Sequence, residues 1–394
     1  MKPVINNEAE LYFERGGPSY RWLQRVGIIR GDDPSLGRRI VLAILITWVP
    51  LLVFSWLDGR ALGSTPQKSF LLDFVTYARF FLAVPLMIVA DVLVGPRLRT
   101  AGLHFLTAQL VREPDYPAVE RAVAGVKKWR ESRIAELIFV GLALVGAWTI
   151  TIEDWHSGGS ATWHTVVRTG GGISLAGLWF HIVAIPLIQF LWLRWLWRLM
   201  IWSRFLWHMS RLDLDLVPTH ADGAGALGFL GNAHGSFGVF GFALGSLLSA
   251  NAAFQMVYEG AKIQSFEISF GALVVVCLAI FLGPLLLFMP TLFQANREWR
   301  RRYTVLVGEY NRAFDQKWAT GKTPESERLL GSADIQSLAD LANSFDRLKS
   351  MKFVPFSRRV AMQLAVMPVL PALPLYLLVM PVGEILRTLV KAVF

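Results

Sequence analysis

The chain of 394 residues is 54% hydrophobic and 17% charged, with a mean hydropathy of +0.45 and a formal net charge of +10. Soluble domains carry ~25% charged residues, so the composition argues against a soluble globular enzyme. A single cysteine, Cys277, excludes an internal disulfide and any multi-cysteine metal site.

Residues 1–39 form a basic N-terminal segment. Its start, MKPVINNEAE, has no apolar run of the kind found in a cleavable signal, so the first apolar helix is expected to direct its own insertion. A helix needs ~20 apolar residues to cross a ~30 Å hydrocarbon layer. Residues 40–394 contain seven such stretches, at 40–57, 71–94, 134–152, 174–193, 235–257, 269–289 and 360–380. The expected fold is all-α, a polytopic transmembrane bundle of about seven helices. Trp48, Trp56, Trp148, Trp155, Trp192 and Trp195 fall near segment ends, where an amphipathic ring suits the headgroup level.

Lys and Arg alternate between sides. Segments 1–39, 95–133, 194–234 and 290–359 hold 32 of the 39 basic residues, and such segments resist translocation. The N-terminus and these three connections are therefore expected in the cytoplasm. The positive charge then finds its partner in anionic lipid headgroups of the bilayer rather than in nucleic acid.

The second stretch carries Asp73, Arg79 and Asp91, none spaced to pair with another along the helix. The two acids lie near the edges, where headgroups or helix caps can take them. Arg79 is about eight residues deep, roughly 12 Å at 1.5 Å per residue, and ionisable groups at such depth are functional suspects. Matching depths predicts a polar cluster of Arg79, His181, Asn251 and Gln255, with Glu259 closing it. Such a cluster either glues helices together, at ~0.6–2 kcal/mol per bond, or lines an ion or proton pathway.

In the next connection, Leu103, Phe105, Leu106 and Leu110, then Val119, Ala122 and Val126, read as two helical pieces split by Pro114 and Pro117. The fourth stretch runs unbroken into LWLRWLWRLMIWSRFLWHMSRL. There Arg194, Arg198, Arg204, His208 and Arg211 share a helical sector of roughly 140°. The first reading assigns Arg194, Arg198, Arg204 and Arg211 to lipid phosphates, with the tryptophans in the interface. The sharper reading is an arginine-lined vestibule for an anion.

The connection LVPTHADGAGALGFLG (216–231) places Thr219, His220 and Asp222 ahead of Gly223 and Gly225. Asp222 suits an N-cap and the glycines suit tight turns, although backbone N–H groups there could also receive an anion. A membrane-embedded hydrolase or lipid transferase would use His220 and Asp222. The spacing of His220, Asp222 and His234 fits no zinc pattern, and no Lys follows the glycines as a phosphate loop requires. No catalytic motif, metal or cofactor is expected. Glycines recur from Gly225 to Gly245 at spacings of three or four, which predicts a close helix contact.

Beyond the sixth stretch, Trp299, Tyr303, Leu306, Tyr310 and Phe314 continue the helix. A turn is expected over Thr320 to Pro324, followed by a helix capped by Ser332 with Ile335, Leu338, Leu341, Phe345 and Leu348 on one face. These pieces predict a small helical cytoplasmic layer from 95–133 and 290–359. Pro368, Pro371 and Pro374 make the last stretch a kinked crossing or a re-entrant hairpin. The tail beyond Pro381 puts Ile385, Leu386, Leu389 and Val393 on one face, as in an interfacial helix.

On LVPTHADGAGALGFLG, LLGSADIQSLADLANSF (329–345) and RWLWRLMIWSRFLW, the chain resembles an uncharacterised family of bacterial multi-pass inner-membrane proteins. The resemblance implies the bacterial cytoplasmic membrane and no assigned activity. The family's His-Pro-Asp is His220-Ala221-Asp222 here, which removes a rigid turn residue. The functional expectation is a transporter- or channel-like bundle for an ion or small solute. The alternative is a scaffold or accessory subunit that recruits a cytoplasmic protein, and a homo-oligomer is compatible with either.

Overall fold

The computed structural model describes residues 11–13, 15–29, 35–63, 65–156, 163–166, 172–320 and 333–379. Its helices are α1 (Pro18–Arg25), α2 (Leu36–Leu57), α3 (Phe74–Thr107), α4 (Tyr116–Arg130), α5 (Arg133–His156), α6 (Leu175–Ser210), α7 (Gly228–Tyr258), α8 (Ile263–Ala319), α9 (Ala333–Lys349) and α10 (Arg358–Val366). The strand content among these residues is one two-residue ladder, Thr165–Val166 against Gly172–Ile173, plus an isolated bridge between Val111 and Leu214.

Among the described residues, α2, α3, α6, α7 and α8 are long and apolar enough to cross a membrane. Two further pairs qualify only if each counts as one bent span: Glu113–Arg130 with Arg133–Thr149, at 45°, and Arg358–Val366 with Leu370–Leu378, at 43°. The chain is thus an all-helical bundle with five to seven such helices, compatible with a multi-pass membrane protein. The proline-rich last stretch breaks after Val366, and Leu370–Leu375 is a 3-10 turn. Residues 321–324 of the expected turn, the expected Ser332 cap and the tail beyond Pro381 lie outside the described residues.

Local chemistry starts the helices. Asp73 caps α3 by accepting from the N–H groups of Val75 (3.0 Å) and Thr76 (3.2 Å), and Ser174 caps α6 by accepting from Gly177 N (2.9 Å). Both helices then pass through a π-turn, Ala78–Ala83 in α3 and Phe180–Ala184 in α6, just ahead of Pro85 and Pro186. A proline cannot donate to the turn before it and its ring crowds the carbonyl four residues back, which the wider turn relieves. Arg79 and His181 sit in these two turns.

α3 continues past its apolar stretch to Thr107, so the first helical piece of the next connection is part of the same rod. α8 extends further. Its 57 residues correspond to about 85 Å, nearly three times the hydrocarbon thickness, so a large part projects beyond any bilayer. α9 folds back along that projection, with Leu348 fully buried and Asn296 Nδ2 donating to Leu348 O at 2.8 Å. α4 lays Val119, Ala122, Val123 and Val126 against α6. Leu11 and Phe13 are buried under the same end of the bundle, Phe13 edge-on to Trp202 at 5.1 Å. This end, which carries most of the Lys and Arg, is called the basic end below.

Candidate functional site

Three helices bring charge into the interior near the basic end. Asp91 of α3 accepts from Arg198 of α6, Nη1 to Oδ1 at 2.5 Å, and its other oxygen accepts from Arg39 of α2. Asp91, Arg39 and Arg198 are 7%, 7% and 4% exposed. Arg194, one turn before Arg198, is 8% exposed, and its Nη2 is shielded from solvent with no hydrogen-bond acceptor among the protein groups. Among the described residues three guanidinium charges thus face Asp91 at close range, with Glu136 as a further carboxylate acting on Arg194, so positive charge is in excess in a low-dielectric setting. Packing fixes the arrangement: the Arg198 guanidinium lies 4.5 Å from the Trp195 ring, and Trp195 Nε1 donates to Met87 O at 3.0 Å. The sequence expectation placed Arg194 and Arg198 on lipid phosphates. They face inward instead, because the side of α6 holding Arg194, Trp195, Arg198, Leu199, Trp202 and Phe205 is the one buried by its neighbours. Asp91, expected at headgroups or a cap, is the acceptor that holds two of these arginines.

At the opposite end, the Arg79 guanidinium lies 5.5 Å from the centre of the Phe180 ring, and His164 stacks on that ring at 5.1 Å. His181 is 1% exposed, with Nδ1 3.1 Å from Ala147 O and its ring 5.9 Å from His164. Asp73 takes the indole N–H of Trp163 at 3.0 Å. Burial above all, with His181 next in weight, pushes His164 down to about 3, so its ring is neutral. Arg79 and His181 therefore share a site through Phe180. Asn251 is exposed on α7, Gln255 is half-buried and Glu259 is exposed, and no hydrogen bond among the described residues joins them to Arg79. Residues absent from the expected cluster, Asp73, Trp163 and His164, complete this packed cluster.

The 216–231 loop is a helix cap. Asp222 Oδ1 accepts from Ala224 N (2.8 Å) and Ala226 N (3.2 Å), and Oδ2 accepts from Gly228 N (2.7 Å) at the start of α7. The Asp222 carboxylate thereby occupies the N–H groups that an external anion would use. Gly223 and Gly225, both at φ +64°, supply the left-handed backbone of the turn. His220 Nδ1 sits 3.0 Å from Asp222 Oδ1. Thr219 is half-buried and Ala221 exposed beside them. Burial raises the Asp222 carboxyl, but the N–H groups of Ala224 and Gly228, the His220 ring and Ala226 N outweigh it and hold the group below the usual carboxylate range. A depressed carboxyl contributes stability above its unfolded pKa and loses it as pH falls through the folded value. Asp222→Asn is therefore expected to cost about 1–2 kcal/mol near neutral pH. Melting midpoints of the two proteins in detergent should begin to converge as pH falls below about 4, the unfolded carboxyl value, and meet below the depressed folded value. A pH-independent gap would remove the charge from this account.

Arg204 is exposed and lies over Trp129 at 5.0 Å. Arg211 lies over Trp207 at 5.6 Å and lines a cleft of about 350 Å³ with Ser210, Thr291, Leu286 and Leu287. A second cleft of about 330 Å³ beside α3 is lined by Arg97, Thr100, His104 and Asn232. His234, fully buried, accepts from Trp202 Nε1 at Nε2 (2.8 Å) and so carries its proton on Nδ1, which donates to Phe281 O (2.5 Å). It ties α6, α7 and α8 together. No group of three or more His, Cys, Asp or Glu able to hold a metal occurs among the described residues.

The fold and these sites define an all-helical bundle, compatible with a multi-pass membrane protein, with charge in its interior. No protein-family model, curated protein or solved structure matches the chain.

Proposed function

We propose that the protein is a transporter- or channel-like bundle for an ion or small solute in a bacterial cytoplasmic membrane, with its basic end in the cytoplasm. The observation that carries this reading is the convergence of Arg39, Asp91, Arg194 and Arg198 from three helices inside the bundle. Charged groups held away from water in a membrane protein are costly, and they mark ion and substrate pathways. The π-turns under Arg79 and His181 add support, since such turns recur at functional sites. Ion and proton flux into proteoliposomes containing anionic lipid tests it. Flux should exceed that of an inert membrane protein and fall to that background in Arg79→Ala.

A second reading, a scaffold that recruits a cytoplasmic protein, is favoured by the projecting α8–α9 hairpin, whose surface exposes Val305, Leu306 and Ile335. Background flux from folded wild-type protein would leave this reading standing in place of the first.

A further inference from the structure

Asp91 offers one oxygen to Arg39 and the other to Arg198. Arg194 belongs to the same charge cluster, yet its Nη2 points to no acceptor although the side chain is more than nine-tenths buried. The other carboxylate in its electrostatic surroundings is Glu136. That group gives Arg194 no hydrogen bond: its oxygens accept instead from Ser19 N at 2.8 Å and Ser19 Oγ at 2.9 Å, neutral donors that leave its charge in place. A guanidinium N–H left without an acceptor away from water carries the full cost of its desolvation. The excess of positive charge over Asp91 and Glu136 adds to that cost. An anion beside Arg194 and Arg198 answers both, and a planar guanidinium fork matches the paired oxygens of an oxoanion better than a spherical ion.

From this geometry we propose that Arg194, backed by Arg198, binds a phosphate-class oxoanion inside the bundle. The claim deepens the transport reading by naming its substrate class, and as a solute site it rests on that reading. Two sources share the chemistry, inorganic phosphate and the phosphate of a lipid headgroup entering at the basic end.

Two probes on the purified full-length protein separate the sources. Equilibrium dialysis against radiolabelled inorganic phosphate, at constant ionic strength, reads the free anion. Native mass spectrometry of protein released from phosphatidylcholine nanodiscs doped with phosphatidylglycerol reads the lipid. Wild type is expected to retain one of the two at one per chain. Arg194→Gln should weaken that retention by about tenfold or more, with Arg194→Lys between the two because it keeps the charge and loses the fork. Arg211→Gln, in the separate surface cleft, should leave retention unchanged.

Retention of neither probe by wild type overturns the proposal, whatever the folding of the variants. So does retention that survives Arg194→Gln, or that is lost instead with Arg211→Gln. Displacement by chloride at equal concentration overturns the oxoanion class. Arg194-dependent binding without flux in proteoliposomes would keep the site and remove the transport reading. Flux without such binding would do the reverse.

Discussion

Asp91→Ala is expected to destabilise the protein by at least about 3 kcal/mol, a large share of the stability of an ordinary domain. The reason lies in what the substitution leaves behind. Arg39 and Arg198 each donate to one Asp91 oxygen, and Arg194 stands beside them without an acceptor. Removing the carboxylate takes away the acceptor that Arg39 and Arg198 share. It leaves three buried guanidinium groups near one another with Glu136 as the remaining carboxylate acting on Arg194, and the cost of stranding a buried partner exceeds the net contribution of the intact pair. Asp91→Asn should be nearly as damaging, because it keeps the shape and removes the charge. Adding Arg198→Gln to Asp91→Asn takes away one positive charge and restores the original net charge of the cluster. The double variant should therefore recover part of the loss. Monodispersity on size exclusion and the melting midpoint from tryptophan fluorescence read all three. An Asp91→Ala protein that melts like wild type would show that Asp91 does not hold the arginines in place.

The charge cluster was the part least legible in the sequence. Asp91 lies 52 positions from Arg39 and 107 from Arg198. A helical wheel of α6 shows that arginines cluster but not which side meets protein, because tryptophans and leucines fill both the buried and the exposed faces. One signal was present. Arg39 opens the first apolar stretch, Asp91 ends the second, and Arg194 follows the fourth, so all three share a depth in alternating helices. Equal depth likewise links Arg79 to His181 on the facing π-turn. It fails for Asn251 because equal depth says nothing about rotation around α7. Features set by nearby residues were readable: the Asp222 cap, the continuation of α8 and most of the face of α9, from Leu338 to Leu348, although Ile335 at its start is exposed. The π-turns were less so, since Pro85 and Pro186 predict a disturbance but not its form.

Gly245→Ala is the second substitution with a large expected effect, and its mechanism is steric. A Cβ built at Gly245 would lie 1.9 Å from Pro368 O and 2.7 Å from Pro368 C. Both are backbone atoms of the segment that follows α10, so no rotamer change can make room and one helix must move off the other. Overpacking typically costs about 1–3 kcal/mol, and a backbone obstacle places this site at or above the upper end. Two other glycines calibrate the result. At Gly235 the added carbon would meet the Gln363 side-chain amide, nearest at Oε1, 3.4 Å, an ordinary contact with the end of a flexible side chain. At Gly271, in the apolar part of α8, it would meet nothing within 4 Å. Gly235→Ala should thus be nearly neutral, and Gly271→Ala neutral or slightly stabilising through helix propensity. Melting midpoints should fall in that order, with Gly245→Ala lowest. The spacing of the glycines along α7 treats Gly235 and Gly245 alike, so equal midpoints for the two would mean that the glycines serve the helix generally. A selective loss at Gly245 would place the close approach at Pro368, where the proline-broken segment leans on α7.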